Sequence, residues 1–112
     1  MTDPRNFPSL LSGGWRELAF EFFRDGIEIA WLNDQGEAGG SALLRYQPGA
    51  AAPEHLHQGL ETIVVLEGSQ SDERGTYRTG DVVTNPPGYQ HSVWTDEGCV
   101  VLICWARPVA FV

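Results

Sequence analysis

No stretch of this chain keeps an apolar repeat of helical period for more than about three turns, and that excludes most helical folds. What it keeps is short runs of alternating or β-branched residues, each closed by a turn signal. Ile27, Ile29 and Trp31 alternate with Glu28, Ala30 and Leu32 after Arg24-Asp25-Gly26. A polar, Gly-rich loop over residues 33–41 precedes a strand over 42–47, which Pro48-Gly49 stops. Residues 61–67 (Glu-Thr-Ile-Val-Val-Leu-Glu) form the strongest strand, expected to end at Gly68. A tight Asp72-Glu73-Arg74-Gly75 reversal, read as a solvated hairpin tip, leads to Tyr77. Residues 81–85, 91–95 and 99–106 complete the set. Eight or nine short strands at this spacing predict an all-β sandwich or barrel of antiparallel strands.

The 112 residues support one domain, expected over 15–112, with residues 1–14 as an N-terminal arm. Four Trp, five Phe and three Tyr give bulk for a core. The net charge is −8, and every one of the seven basic residues is Arg. An acidic chain with no basic stripe is a poor partner for nucleic acid or an anionic membrane surface. No apolar run reaches the ~18 residues that cross a bilayer, and no signal-peptide pattern opens the chain. The expected compartment is cytoplasmic and reducing. Cys99 and Cys104 fall on opposite faces of one strand, so both are expected as buried, unbridged thiols.

Two spaced motifs carry the chemistry. The first runs Gly49, five residues, His55, one residue, His57, three residues, Glu61, six residues, Gly68. The second runs Gly80, five residues, Pro86, one residue, Gly88, two residues, His91. His55 and His57, two apart on a strand, leave the same face and can chelate one ion. Glu61 enters from the next strand, and Pro86-Pro87-Gly88 stiffens the turn that delivers His91. The chain has only three histidines, and all three fall in these motifs. Three neutral nitrogens and one carboxylate suit a divalent first-row metal (Fe, Zn, Mn or Ni), with about two positions left open on a six-coordinate ion. Glu61 is read as a ligand, with a general-base role as the alternative.

These motifs resemble the paired motifs of the cupin superfamily, small jelly-roll-like β-barrels, or double-stranded β-helices, that hold a metal through three His and one Glu. The match departs where the pattern continues with Asn four residues after the last His, since this chain has Thr95. Within cupins the chain is similar to the ChrR-like group, named for the C-terminal domain of an anti-sigma factor. The residues carrying this are Leu43-Leu44-Arg45-Tyr46, Pro48-Gly49-Ala50, Ser71-Asp72-Glu73-Arg74-Gly75, Asn85-Pro86-Pro87-Gly88 and Glu97-Gly98-Cys99. With no Cys before Cys99 and no His before His55, the zinc-binding module that grips a sigma factor in that group has no counterpart here. The resemblance therefore implies no sigma-factor binding.

The likeness to stand-alone cupins of this size implies a metal-dependent enzyme acting on a small organic molecule, in the manner of a non-haem iron dioxygenase, whereas the ChrR-like likeness supports the alternative that follows. A non-catalytic sensor or regulatory domain is the alternative, and a purely structural metal is a third reading. Alternation leaves open which of Arg45 and Tyr46 faces inward. Gln90, on the turn before His91, is read as solvated. The same alternation sends Glu61, Ile63, Val65, His91 and Val93 inward and Val64, Leu66 and Trp94 outward. That apolar outer face, with Phe7, Leu10, Leu11 and Trp15 of the arm, predicts a homodimer in preference to an arm folded over its own sheet.

Overall fold

The computed structural model describes residues 3–112; Met1 and Thr2, part of the expected arm, lie outside the described residues. Two short 3-10 segments precede ten strands, and a third (Gly36–Ala38) joins the second strand to the third: β1 (Glu21–Arg24), β2 (Ile27–Asp34), β3 (Gly40–Tyr46), β4 (Ala51–Leu56) and β5 (Glu61–Asp72), then β6 (Gly75–Arg78), β7 (Val82–Asn85), β8 (Gln90–Trp94), β9 (Cys99–Trp105) and β10 (Ala110–Phe111). All pairings are antiparallel, in the order β1-β2-β3-β9-β5-β8-β4-β10, with β6 and β7 also pairing β5. The strands curl into the expected cupin barrel.

The joint of that barrel is β5, which runs past the expected stop at Gly68 to Asp72. Its first half pairs with β9 and β7; its second half pairs with β6 and touches β8. A bulge between Val65 and Glu67 and a left-handed Gly68 (φ 73°) turn the strand from one sheet into the other. A Cβ on Gly68 would collide with the Gly98 carbonyl, so glycine here bends a strand instead of ending it.

Alternation holds along the site-bearing strands. Glu61, Ile63, Val65, His91 and Val93 are buried, while Val64, Leu66 and Trp94 are half-buried on the far side. The inner core gathers Ile27, Ile29, Leu44, Ile63, Val65 and Val101. Tyr46 belongs to it, whereas Arg45 points outward, pairs with Glu28 at 2.9 Å and lies over the Phe20 ring. Ala30, Leu43 and Val100 form a second core on the outer face of β2, β3 and β9. There the chain supplies its own cover: Trp15 is 5% exposed in this cluster, with Leu10, Leu18 and Phe20 packed around it. Leu10 of the arm and the adjoining Trp15 therefore lie on their own sheet, while Leu11 stays exposed.

Both thiols are free, as expected, but only Cys99 is buried. Burial pushes the Cys99 thiol up to about 12, so it is inert at neutral pH. Cys104 is exposed, contrary to expectation, because the outer cover ends before that stretch of β9.

Candidate metal centre

Strand register brings the histidines together. His55 on β4 is the cross-strand partner of His91 on β8, and their ring centroids are 4.7 Å apart. His57 lies just beyond β4, where the second motif grips its backbone. Its N–H donates to the Tyr89 carbonyl (2.9 Å), and its carbonyl accepts from the Gly88 N–H (2.8 Å). Gly88, at φ 91°, has the conformation this clamp requires. The Pro86-Pro87-Gly88 turn thus holds His57 as well as delivering His91.

The three imidazoles each offer a ligand atom, and these atoms all lie within 4.8 Å of one another. His57 Nε2 and His91 Nε2 are 2.9 Å apart. Two nitrogens about 2.1 Å from one ion, at right angles around it, would be about 3.0 Å apart, so the pair fits one octahedral edge. The far nitrogens are held outward. His55 Nδ1 donates to the Pro53 carbonyl (2.8 Å), and His91 Nδ1 donates to Asp72 Oδ2 (3.0 Å). Those bonds fix the tautomer that turns Nε2 toward the cluster. Burial lowers His57 to about 4, and burial likewise lowers His55, so both rings are neutral donors at pH 7.

Glu61 heads β5 and stands beside this group, with Oε1 3.7 Å from His57 Nε2. Its cross-strand partner Asn85 is fully buried and donates Nδ2 to Glu61 Oε1 (3.1 Å). Burial pushes the Glu61 carboxyl up to about 7, against the Asn85 hydrogen bond. A folded-state value above the unfolded one stabilises below about pH 4.5 and is lost as pH rises through 7. In chelator-treated protein, Glu61→Gln is therefore expected to raise the Tm at pH 8 by several degrees and to leave it little changed at pH 5. With metal bound the sign reverses, because the charge then has a cation to meet. Thermal scans with and without chelator check both signs. The depressed His55 and His57 act oppositely, so the metal-free fold loses stability as pH falls below about 6.5.

Asp72 was expected at a solvated hairpin tip, but it is 3% exposed and anchors a polar chain across the site. It accepts from His91, from the Arg74 N–H (2.8 Å) and from the Tyr77 hydroxyl (2.9 Å). The Arg74 guanidinium joins Asp72 Oδ2 (3.2 Å) to Asn85 Oδ1 (2.5 Å), and Asn85 continues to Glu61. Burial alone would raise the Asp72 carboxyl; these hydrogen bonds more than offset it and hold it below the usual range. Removing its charge with Asp72→Asn is expected to weaken metal binding about 10- to 100-fold. Competition against a chromophoric chelator measures this, and unchanged affinity would contradict the positioning role. Gln90 is exposed and donates to Glu54, away from the cluster. Thr95, where cupins carry Asn, donates to the Ser69 carbonyl (2.7 Å) and accepts the Gly98 N–H (2.9 Å), bracing two turns.

The cluster opens on a cavity of about 340 Å³, with His55, Glu61 and His91 among its lining residues. Its walls are mostly apolar, part aliphatic and part aromatic, Trp31 and Trp105 meet edge to face along it, and Tyr46 and Gln70 are its neutral polar groups.

A curled antiparallel barrel with three inward imidazoles from its paired motifs defines a cupin. More narrowly, the chain belongs to the ChrR cupin-like domain family, which matches residues 14–109. It is 33% identical over 100 residues to the anti-sigma-E factor ChrR of Cereibacter sphaeroides, covering 87% of this chain and 44% of that protein. The chain thus spans less than half of that curated relative. The Rhodobacter sphaeroides SigE–ChrR complex aligns at a TM-score of 0.76 and 25% identity, over 91% of this chain and 57% of the matched one. The polyketide cyclase RemF of Streptomyces resistomycificus shares the fold alone, at 19% identity and a TM-score of 0.73, over 100% and 86% of the two chains. No helix among the described residues is long and apolar enough to cross a membrane.

Proposed function

We propose that this chain binds one divalent transition metal through His55, His57 and His91, with Glu61 as the fourth ligand, and acts on a small organic molecule. One observation carries this reading: the imidazole cluster forms part of the wall of a 340 Å³, largely apolar cavity. A structural zinc site would instead be closed and rich in thiolate. When bound, the metal supplies Lewis-acid polarisation and a template for the substrate's oxygens. The chain's residues do the rest. Asp72 and the Pro53 carbonyl hold the imidazoles in register, and the apolar wall excludes water from the substrate's body. Asn85 holds Glu61 Oε1, which leaves Oε2 as the oxygen that would meet the metal or take a substrate proton.

Similarity to ChrR favours a second reading, a metal-loaded sensor or regulatory domain that binds the molecule without turning it over. Elemental analysis of anaerobically purified protein, followed by oxygen-electrode assays on the iron-loaded chain, separates the two. About one metal per chain with substrate-dependent oxygen uptake supports the dioxygenase-like enzyme. One metal with ligand binding and no turnover supports the sensor, and absence of metal refutes both. Free thiols on β9 accord with a reducing, cytoplasmic compartment. Half-buried Val64 and Trp94 remain as support for a homodimer, and light scattering decides between the mass of one chain and two.

A further inference from the structure

The cavity holds a cation with no carboxylate partner among the described residues. Arg24, at the end of β1, is the one cation among the described residues lining it. Arg16, Arg45 and Arg74 each meet a carboxylate, on Glu67, Glu28 and Asp72. Arg24 meets none among the described residues. Its half-buried guanidinium lies instead over two rings, 4.5 Å from Phe111 and 5.8 Å from Phe23. The same Phe111 ring contacts His55, at 5.9 Å between centroids, so a molecule in the cavity can meet the guanidinium and the imidazole cluster together. The cavity's carboxyl groups are already engaged: Asp34 accepts the Gly36 N–H at 3.0 Å, and Glu61 accepts from Asn85.

We propose that the cavity takes an organic monocarboxylate on an aromatic or branched apolar body, with the carboxylate held by Arg24. A planar guanidinium flanked by aromatic rings presents paired N–H donors that match a carboxylate. The aromatic and aliphatic walls then receive the apolar body, and the cavity volume is that of a small-molecule site. This deepens the reading of the cavity as the substrate site and names its ligand class.

The test uses zinc-loaded protein, with 2-naphthoate, its neutral counterpart 2-naphthamide, and acetate as probes, followed by tryptophan fluorescence from the cavity-lining Trp31 and Trp105. Zinc retention in the wild-type chain is measured first. The expected result is naphthoate binding about tenfold or more tighter than naphthamide, the loss typical of a hydrogen bond to a charged group. Arg24→Met, which keeps an apolar stem against Phe111, should weaken naphthoate about tenfold and leave naphthamide nearly unchanged. Equal binding of acid and amide, or Arg24→Met without effect on naphthoate, overturns the carboxylate. Acetate binding as tightly as naphthoate overturns the apolar body. Failure to retain zinc would refute the metal reading alone, and the same titrations on metal-free protein would still decide the ligand class.

Discussion

Replacing His57 with alanine will weaken divalent-metal binding by a hundred- to a thousandfold while leaving a folded barrel. His57 is 1% exposed, is held by its backbone to Gly88 and Tyr89, and sets its Nε2 2.9 Å from that of His91. Zinc held by four side chains is worth about 10–16 kcal/mol, so one ligand accounts for about 3 kcal/mol, or about two to three orders of magnitude. The fold should survive because the inner core rests on Ile27, Leu44, Val65 and Val101, and the lost ring leaves the clamp on residue 57 in backbone atoms. Chelator competition gives the affinity and far-UV circular dichroism the fold. Wild-type affinity in the variant would remove His57 from the ligand set. A collapse of the fold in the metal-free variant alone would make the ring structural.

Trp15→Ala is expected to cost about 3–5 kcal/mol, the usual range for truncating a buried Trp. Trp15 is the largest side chain of the outer core and closes the face formed by Ala30, Leu43 and Val100. Its indole also carries the Arg16 guanidinium, 4.3 Å from the ring. Without it, Leu10, Leu18 and Phe20 lose their common partner and the outer face of β2, β3 and β9 opens to water. Denaturant unfolding should show the loss in midpoint, and light scattering should show concentration-dependent association beyond that of the wild-type chain. The metal cluster lies on the opposite side of the sheet, so metal affinity at low temperature should change little. A cost below about 1 kcal/mol would mean that the arm does not seal this face in solution.

Much of this was legible in the chain. Period-two alternation placed Glu61, Ile63 and Val65 on the inner face, and the two spaced motifs pointed to the histidines that meet. Gly68 misled because a glycine after a β-branched run reads as a stop. Its left-handed φ and lack of a Cβ are what let β5 pass into the second sheet, and only the packing against Gly98 reveals it. Arg45 and Tyr46 were undecidable for a simpler reason: alternation fixes their opposition, not its sign. The core claims Tyr46, and the Arg45 guanidinium finds Glu28 and Phe20 outside.

By itself, then, the sequence determined the all-β class, the facing of the main strands and the candidate imidazoles, because these follow from local periodicity and from rare residues at short spacing. The tertiary structure alone decided that Asp72, Arg74 and Asn85 link His91 to Glu61, that Arg24 lines the cavity, and that Leu10 and Trp15 cover their own sheet. A polar residue at a hairpin end has the same local pattern whether water or an imidazole lies beyond it. His91 comes to Asp72 across 19 positions of sequence, and that approach is made by the curl of the barrel.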